Sequence, residues 1–179
     1  GLLSLQARTT ESQVHRQLAS GVSMPIGFKN ATDGRVGVAI DGCQSASAPH
    51  QFFGMDGEGR TSVVETKAFV ASGMVPDFGT QSGPMLVIDG DLHPRFLVDS
   101  DSRYVRNGVG VSPDGQTAWF AISDRAVTFH EFGRLFCDGL GVRDALYFDG
   151  SISRLYAPGI RRADWGRRMG PIIGYVGGS

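Results

Sequence analysis

The pattern of the chain changes within residues 60–73, and this change constrains the fold more than any other feature. Before it, apolar strand-like runs alternate with amphipathic helix-like runs, which is the order of a parallel α/β protein. After it come short strand-like runs, tight glycine turns and one amphipathic helix. Domain boundaries usually fall in Pro-, Ser- or Gly-rich linkers, and none is present here. We therefore expect two domains, 1–66 and 67–179, that are joined directly.

The composition restricts the class of protein. Of the 179 residues, 41% are hydrophobic and 20% are charged, which is typical of a globular chain. A net charge of −1 argues against a nucleic-acid partner. No apolar run reaches the roughly 18 residues of a membrane span, so no membrane partner is expected. The first residues lack the charged start and apolar core of a signal peptide, which predicts a cytoplasmic protein.

The first part predicts strands at 2–7, 24–29 and 50–54, with a fourth at 61–65 after a turn at 56–59. Arg8 and Lys29 each follow a strand and precede a helix. Because the carboxyl ends of parallel strands share one edge of a sheet, these two cations suit a phosphate or carboxylate ligand. Ordinary surface salt bridging is the alternative.

The wording of the first part is more specific than its spacing. It reads ARTTESQVHRQLASG at 7–21 and PIGFKNATDG at 25–34, with AID at 39–41, APH at 48–50 and VVET at 63–66. Over about residues 5–66 this resembles the first class of 3-deoxy-7-phosphoheptulonate (DAHP) synthase. The resemblance implies a βαβαβ fragment of TIM-barrel type.

The same resemblance implies a chemistry. DAHP synthases condense phosphoenolpyruvate with erythrose 4-phosphate in aromatic amino acid biosynthesis, and Arg8 and Lys29 match the residues that hold phosphoenolpyruvate. The metal ligands of that family lie outside the matching segment. A divalent metal is therefore expected only if DAHP synthase chemistry is intact, and otherwise we expect no cofactor.

The second part predicts strands at 85–89, 94–98, 105–111, 117–122, 143–148 and 171–176. The turn at 112–115 makes a hairpin of the middle pair. Thr128 and Glu131 form a capping box that opens one long helix. Its apolar stripe consists of Phe129, Phe132, Phe136 and Leu140. This order predicts an α+β fold with a mainly antiparallel sheet.

Three polar turns of the second part are candidates for chemistry. They contain Ser82, Arg106, and Asp149 with Ser151. A cation, a carboxylate and hydroxyl donors suit cleavage beside a phosphate-substituted sugar, with the arginine neutralising phosphate and the carboxylate acting as acid/base or nucleophile. Ordinary turn chemistry is the alternative, because Asp-Gly and Ser-Gly are common in turns.

The wording again adds to the spacing. The motifs QSGPMLVIDG at 81–90, RNGVGV at 106–111 and DALYFDGSISRLYAP at 144–158 resemble the phosphodiester glycosidase family over about residues 67–179. The resemblance implies a hydrolase that removes a sugar from a phosphodiester, with Ser82, Arg106, Asp149 and Ser151 at its site. An earlier Asn-Gly-Gly stretch of that family has no counterpart, and the DAHP-synthase-like segment stands in its place.

Three hypotheses follow. The chain is a phosphodiester-glycosidase-like hydrolase, active or inactivated by its missing front; or a DAHP-synthase-derived transferase; or a non-enzymatic product of recombination. The expected ligand is a sugar phosphate in the first case and phosphoenolpyruvate in the second. We also predict that strands of the first part pair with the sheet of the second, giving one mixed α/β body.

Overall fold

The structure is a computed structural model that describes the main chain of residues 2–6, and residues 51–150, 153–157, 161–166 and 173. The described elements are β1 (Leu2–Gln6), β2 (Gln51–Met55), β3 (Thr61–Glu65), α1 (Thr66–Ser72), β4 (Phe78–Ser82), β5 (Met85–Ile88), β6 (Asp91–Leu92), β7 (Asn107–Val111), β8 (Thr117–Ile122), α2 (Phe129–Arg134) with its π-helical continuation Leu135–Gly139, β9 (Asp144–Asp149), β10 (Tyr156–Ala157) and β11 (Arg162–Ala163).

The described strands form three sheets. Six strands lie in the order β1-β8-β7-β9-β5-β6, three in the order β3-β2-β4, and β10 pairs with β11. Each of these pairings is antiparallel. The predicted α+β class with a mainly antiparallel sheet is thereby confirmed.

Strand pairing across the pattern change is also confirmed. Strand β1 pairs with β8, with Leu2 opposite Ala121, and β2 pairs with β4, with Gln51 opposite Ser82. Strands from the first part therefore complete sheets to which the second part contributes. This agrees with the predicted pairing of the two parts.

The predicted parallel neighbours are a different matter. Strands β2 and β3 pair antiparallel, because the connection between them is a tight turn in which Asp56 Oδ1 accepts hydrogen bonds from the main-chain N of Glu58 and Arg60. A parallel pair needs a crossover of a dozen or more residues, which this turn cannot supply. The parallel arrangement of these two strands is therefore wrong. The predicted strand at 24–29 and both helices of the first part lie outside the described residues, as does the strand at 171–176.

The long helix starts as predicted. Thr128 Oγ1 accepts from the Glu131 main-chain N at 3.1 Å, and the Glu131 carboxylate accepts from the Thr128 N at 2.8 Å. The apolar stripe buries Phe132 and Phe136 against the six-stranded sheet, where they pack in one cluster with Leu86, Val87, Ala121, Val142 and Ala145. The stripe therefore forms the core on this face of the sheet.

Other local predictions fail for identifiable reasons. The return strand is Asp91–Leu92 rather than 94–98, because Asp89 and Gly90 adopt positive φ values of 51° and 92° and reverse the chain at once. Helix α1 was not predicted. Its cap is Glu65, whose carboxylate accepts from the N of Lys67 and Ala68, whereas caps are usually Ser, Thr, Asp or Asn. Within the described part of the chain, no helix has the length and apolarity needed to cross a bilayer.

Candidate active site

The end of β4, the start of β7 and the end of β9 meet at one place. The Ser82 hydroxyl donates to the Phe148 carbonyl at 3.0 Å, which ties the end of β4 to the residue before Asp149. Asn107 lies opposite Asp149 in the pairing of β7 with β9, where the register shifts between Asn107 and Gly108. We call Ser82, Arg106, Asn107, Asp149 and Ser153 the strand-end cluster.

Asn107 and Ser153 fasten the segment after β9 to β7. Asn107 Nδ2 donates to Ser153 Oγ at 2.7 Å, and Ser153 Oγ donates to the Val105 carbonyl at 3.1 Å. These two bonds hold the chain that leaves Asp149 beside the start of β7. Neither residue was among the predicted site residues, although both lie within the polar motifs at 106–110 and 149–153. The signal that could have identified them is the recurrence of hydrogen-bonding side chains within those two motifs.

Arg106 lies in the interior, with only 1% of its surface exposed. Its Nε donates to the Val127 carbonyl at 2.9 Å, and its Nη2 donates to the Ser102 carbonyl at 2.8 Å. The guanidinium carbon sits 3.6 Å from the centroid of the Phe129 ring. Burial lowers the pKa of Arg106, and the nearby Tyr147 and Tyr104 oppose that shift. The cation is thus held by carbonyl oxygens and an aromatic face, as desolvated arginines commonly are.

Tyr147 connects the buried cation to the end of β9. Its side chain is hydrogen-bonded with Arg106. On the other side, a Cβ built on Gly150 would collide with the Tyr147 hydroxyl. The residue after Asp149 must therefore be glycine if Tyr147 is to keep this position. Through Tyr147, the buried guanidinium supports the main chain on which Asp149 sits.

The predicted site residues fall into two groups. Ser82 and Arg106 and the main chain of Asp149 are brought to the same strand ends. Ser151, Arg8 and Lys29 lie outside the described residues. The roles of all six remain predictions. In the portion of the chain that the structure describes, no group of three or more His, Cys, Asp and Glu residues could hold a metal ion.

A second carboxyl on β9 lies at the far end of the strand. Burial raises the pKa of Asp144, while its acceptance of a hydrogen bond from the Asp89 main-chain N and the charge of Arg143 lower it. Asp144 thus belongs to a structural contact between β9 and the turn after β5. It shares a strand with Asp149 without sharing the strand-end cluster, which makes it a matched control for substitutions of Asp149.

Comparisons with known proteins support both resemblances. The chain is 59% identical over 81 residues to the phospho-2-dehydro-3-deoxyheptonate aldolase (DAHP synthase) of Corynebacterium glutamicum, covering 45% of this chain and 22% of that protein. It is 36% identical over 105 residues to the Tyr-sensitive enzyme of Enterobacter agglomerans, covering 54% and 49%. The chain thus spans less than half the length of these relatives.

A solved structure of a hypothetical protein from Synechocystis matches with a TM-score of 0.36 and 15% identity, over 70% of this chain and 30% of that one. The family model described as phosphodiester glycosidase matches residues 16–174, which is most of the chain. That match includes the motifs that contain Ser82, Arg106 and Asp149. The chain therefore belongs to the phosphodiester glycosidase family.

Proposed function

We propose that this chain hydrolyses the bond between a sugar and the phosphate of a sugar phosphodiester. The observation that carries the proposal is the convergence of Ser82, Asn107, Asp149 and Ser153 at one set of strand ends in a member of this family. A carboxylate among hydroxyl and amide groups is the equipment that general acid–base or nucleophilic attack at a sugar requires.

The chemistry assigns a separate task to each residue. The bond between the anomeric carbon and the phosphodiester oxygen breaks, and the oxygen of water bonds to that carbon. Asp149 accepts the proton that the water loses, and the phosphate leaves as a monoester. The Ser151 hydroxyl donates to the phosphate. Ser82 acts as a positioning residue, because its hydroxyl already donates to the Phe148 carbonyl beside Asp149.

Arg106 acts at a distance in this proposal. Its donors are directed to the Ser102 and Val127 carbonyls, and its surface is almost fully buried. Its positive field favours an anionic phosphate at the strand-end cluster, since a charge in a poorly solvated interior is weakly screened. It also fixes Tyr147 and, through it, the end of β9.

Replacement of Asp149 by asparagine tests the proposal. We expect the rate of sugar release from an N-acetylglucosamine phosphodiester to fall by about 10²–10⁴-fold, since the general base is lost while size is kept. The matched control is Asp144→Asn on the same strand, which should leave the rate within about threefold because that side chain lies away from the cluster. Equal rates for the Asp149 variant and the unsubstituted chain would contradict the proposal.

A second candidate function rests on the 59% identity to DAHP synthase. Here the segment that contains Arg8 and Lys29 binds phosphoenolpyruvate, with both cations directed to its phosphate and carboxylate. Paired cations suit these groups, because hydrogen bonds between ionised partners are roughly twice as strong as neutral ones. A chain that covers 22% of that relative makes binding the activity to test first.

Phosphoenolpyruvate should raise the unfolding temperature of the chain if this candidate is right. At a concentration of about 100 times the Kd, the expected stabilisation is about 2.7 kcal/mol. Lys29→Ala should abolish the shift, whereas replacement of the chain's other lysine, Lys67→Ala on the exposed face of α1, should leave it unchanged. An identical shift in both variants excludes Lys29 as a ligand, and no shift in the unsubstituted chain excludes the candidate function.

A further inference from the structure

Two exposed aromatic side chains lie on the small sheet that follows the strand-end cluster. Tyr156 on β10 is 76% exposed, and Trp165, two residues after β11, is 96% exposed. Large aromatic side chains bury 150–250 Å² when they are covered, so leaving two on one hairpin in water is costly. Such exposed apolar surface commonly marks a binding site.

The strand register places both aromatic residues on one face. Tyr156 pairs with Ala163 and Ala157 with Arg162, and the Asp164 N donates to the Leu155 carbonyl. Because side chains alternate along a strand, positions 154, 156, 163 and 165 share a face. Ala157, on the opposite face, is buried. The hairpin thus packs its Ala157 face inward and presents the Tyr156 face outward.

A cation borders the same face. A Cβ built on Gly166 would collide with the Arg154 guanidinium, so this side chain runs alongside the main chain at Trp165 and Gly166. The described residues 153–157 and 161–166 contain three arginines and one aspartate. This excess of positive charge complements an anionic ligand.

We propose that Arg154, Tyr156 and Trp165 form a platform for the sugar phosphodiester, with a pyranose ring stacked on the aromatic side chains and the phosphate directed to Arg154. The C–H bonds of a pyranose face are weakly positive, and the faces of aromatic rings are negative, so the two surfaces attract each other. This inference rests on the proposed function and names the surface that would select the sugar.

The position of the platform suits this role. Ser153, which is bonded to Asn107 and to the Val105 carbonyl, immediately precedes Arg154. From Ser153 to Tyr156 the chain spans at most about 10 Å. One end of a sugar phosphodiester can therefore lie on the platform while the scissile bond lies at the strand-end cluster.

Intrinsic fluorescence tests binding independently of hydrolysis. The chain has two tryptophans, and Trp119→Phe leaves Trp165 as the reporter. Titration of that protein with N-acetylglucosamine 1-phosphate should give a saturable change in emission, and inorganic phosphate alone should give none. Tyr156→Ala should weaken the binding by about 5- to 10-fold, as expected for the loss of one stacked ring. Val75→Ala, at an exposed position on another part of the surface, should leave it unchanged.

Kinetics separate the platform from the proposed function. If the chain hydrolyses an N-acetylglucosamine phosphodiester, Trp165→Ala should raise KM by about 5- to 10-fold with kcat nearly unchanged, because uniform binding is removed. Hydrolysis with an unaltered KM in that variant overturns the platform and leaves the proposed function standing. Saturable, Tyr156-dependent binding without any hydrolysis keeps the platform and overturns the proposed function. No emission change, or equal affinity after Tyr156→Ala, overturns the platform.

Discussion

Replacing Arg106 by methionine should lower the free energy of unfolding by about 3–5 kcal/mol. The substitution leaves the buried carbonyls of Val127 and Ser102 without their donors, at about 1–3 kcal/mol for each unsatisfied group. It also removes the cation from the face of Phe129, an interaction of about 2 kcal/mol where water is excluded. Methionine fills much of the volume and recovers part of the loss by apolar contact.

Urea unfolding of two further variants separates charge from geometry. Arg106→Lys keeps the positive charge and loses the planar fork, so its stability should lie between those of the methionine variant and the unsubstituted chain. Arg103→Met removes an exposed pair with Glu131 at 2.9 Å and should cost at most about 1 kcal/mol. If Arg106→Met costs no more than Arg103→Met, the guanidinium is not the structural centre that its contacts indicate.

The elements that could be predicted from sequence are those whose determinants are local. The capping box of Thr128 and Glu131 and the stripe of Phe132 and Phe136 lie within three turns of one helix. The hairpin of β7 and β8 is set by its turn, in which the Ser112 and Gly115 main chains are hydrogen-bonded. In each case the residues that decide the structure are a few positions apart, so periodicity and turn chemistry suffice.

The elements that could not be predicted depend on distant partners. The strand β4 contains Gly79, Thr80 and Gln81, which carry little strand preference, and it forms because β2 supplies the partner. Gly79 is required there because a Cβ would meet the ring of Phe52. Pairing between segments more than 20 residues apart leaves no periodic mark in either segment.

The candidate site shows the same division. The motifs that contain Ser82, Arg106 and Asp149 were found from residue type and resemblance. The burial of Arg106 was not, since a cation before a strand looks identical in sequence whether it faces water or Phe129. The bond from Asn107 to Ser153 joins residues 46 positions apart and became visible only when β7 and β9 were paired.

Phe136→Ala should lower the free energy of unfolding by about 3–5 kcal/mol, because the ring is fully buried between the helix and the sheet. The sheet is shaped to receive this ring. A Cβ on Gly110 would lie 2.6 Å from Phe136 Cδ1 and 3.0 Å from Val142 Cγ1. Gly110→Ala alone should therefore cost about 1–3 kcal/mol through overpacking.

In the double variant the two losses should partly cancel. The new methyl group at position 110 enters the space that the Phe136 ring has left, so the combined cost should fall short of the sum by about 0.5–3 kcal/mol. Urea unfolding of all four proteins measures this coupling. The matched cycle pairs Gly110→Ala with Phe69→Ala, a buried ring that stacks on Phe52, and there the costs should add. Additive costs in the Phe136 cycle would mean that the sheet and helix do not meet through Gly110. A coupling confined to that cycle locates the contact by which the helix fixes β7, whose first residues carry the strand-end cluster.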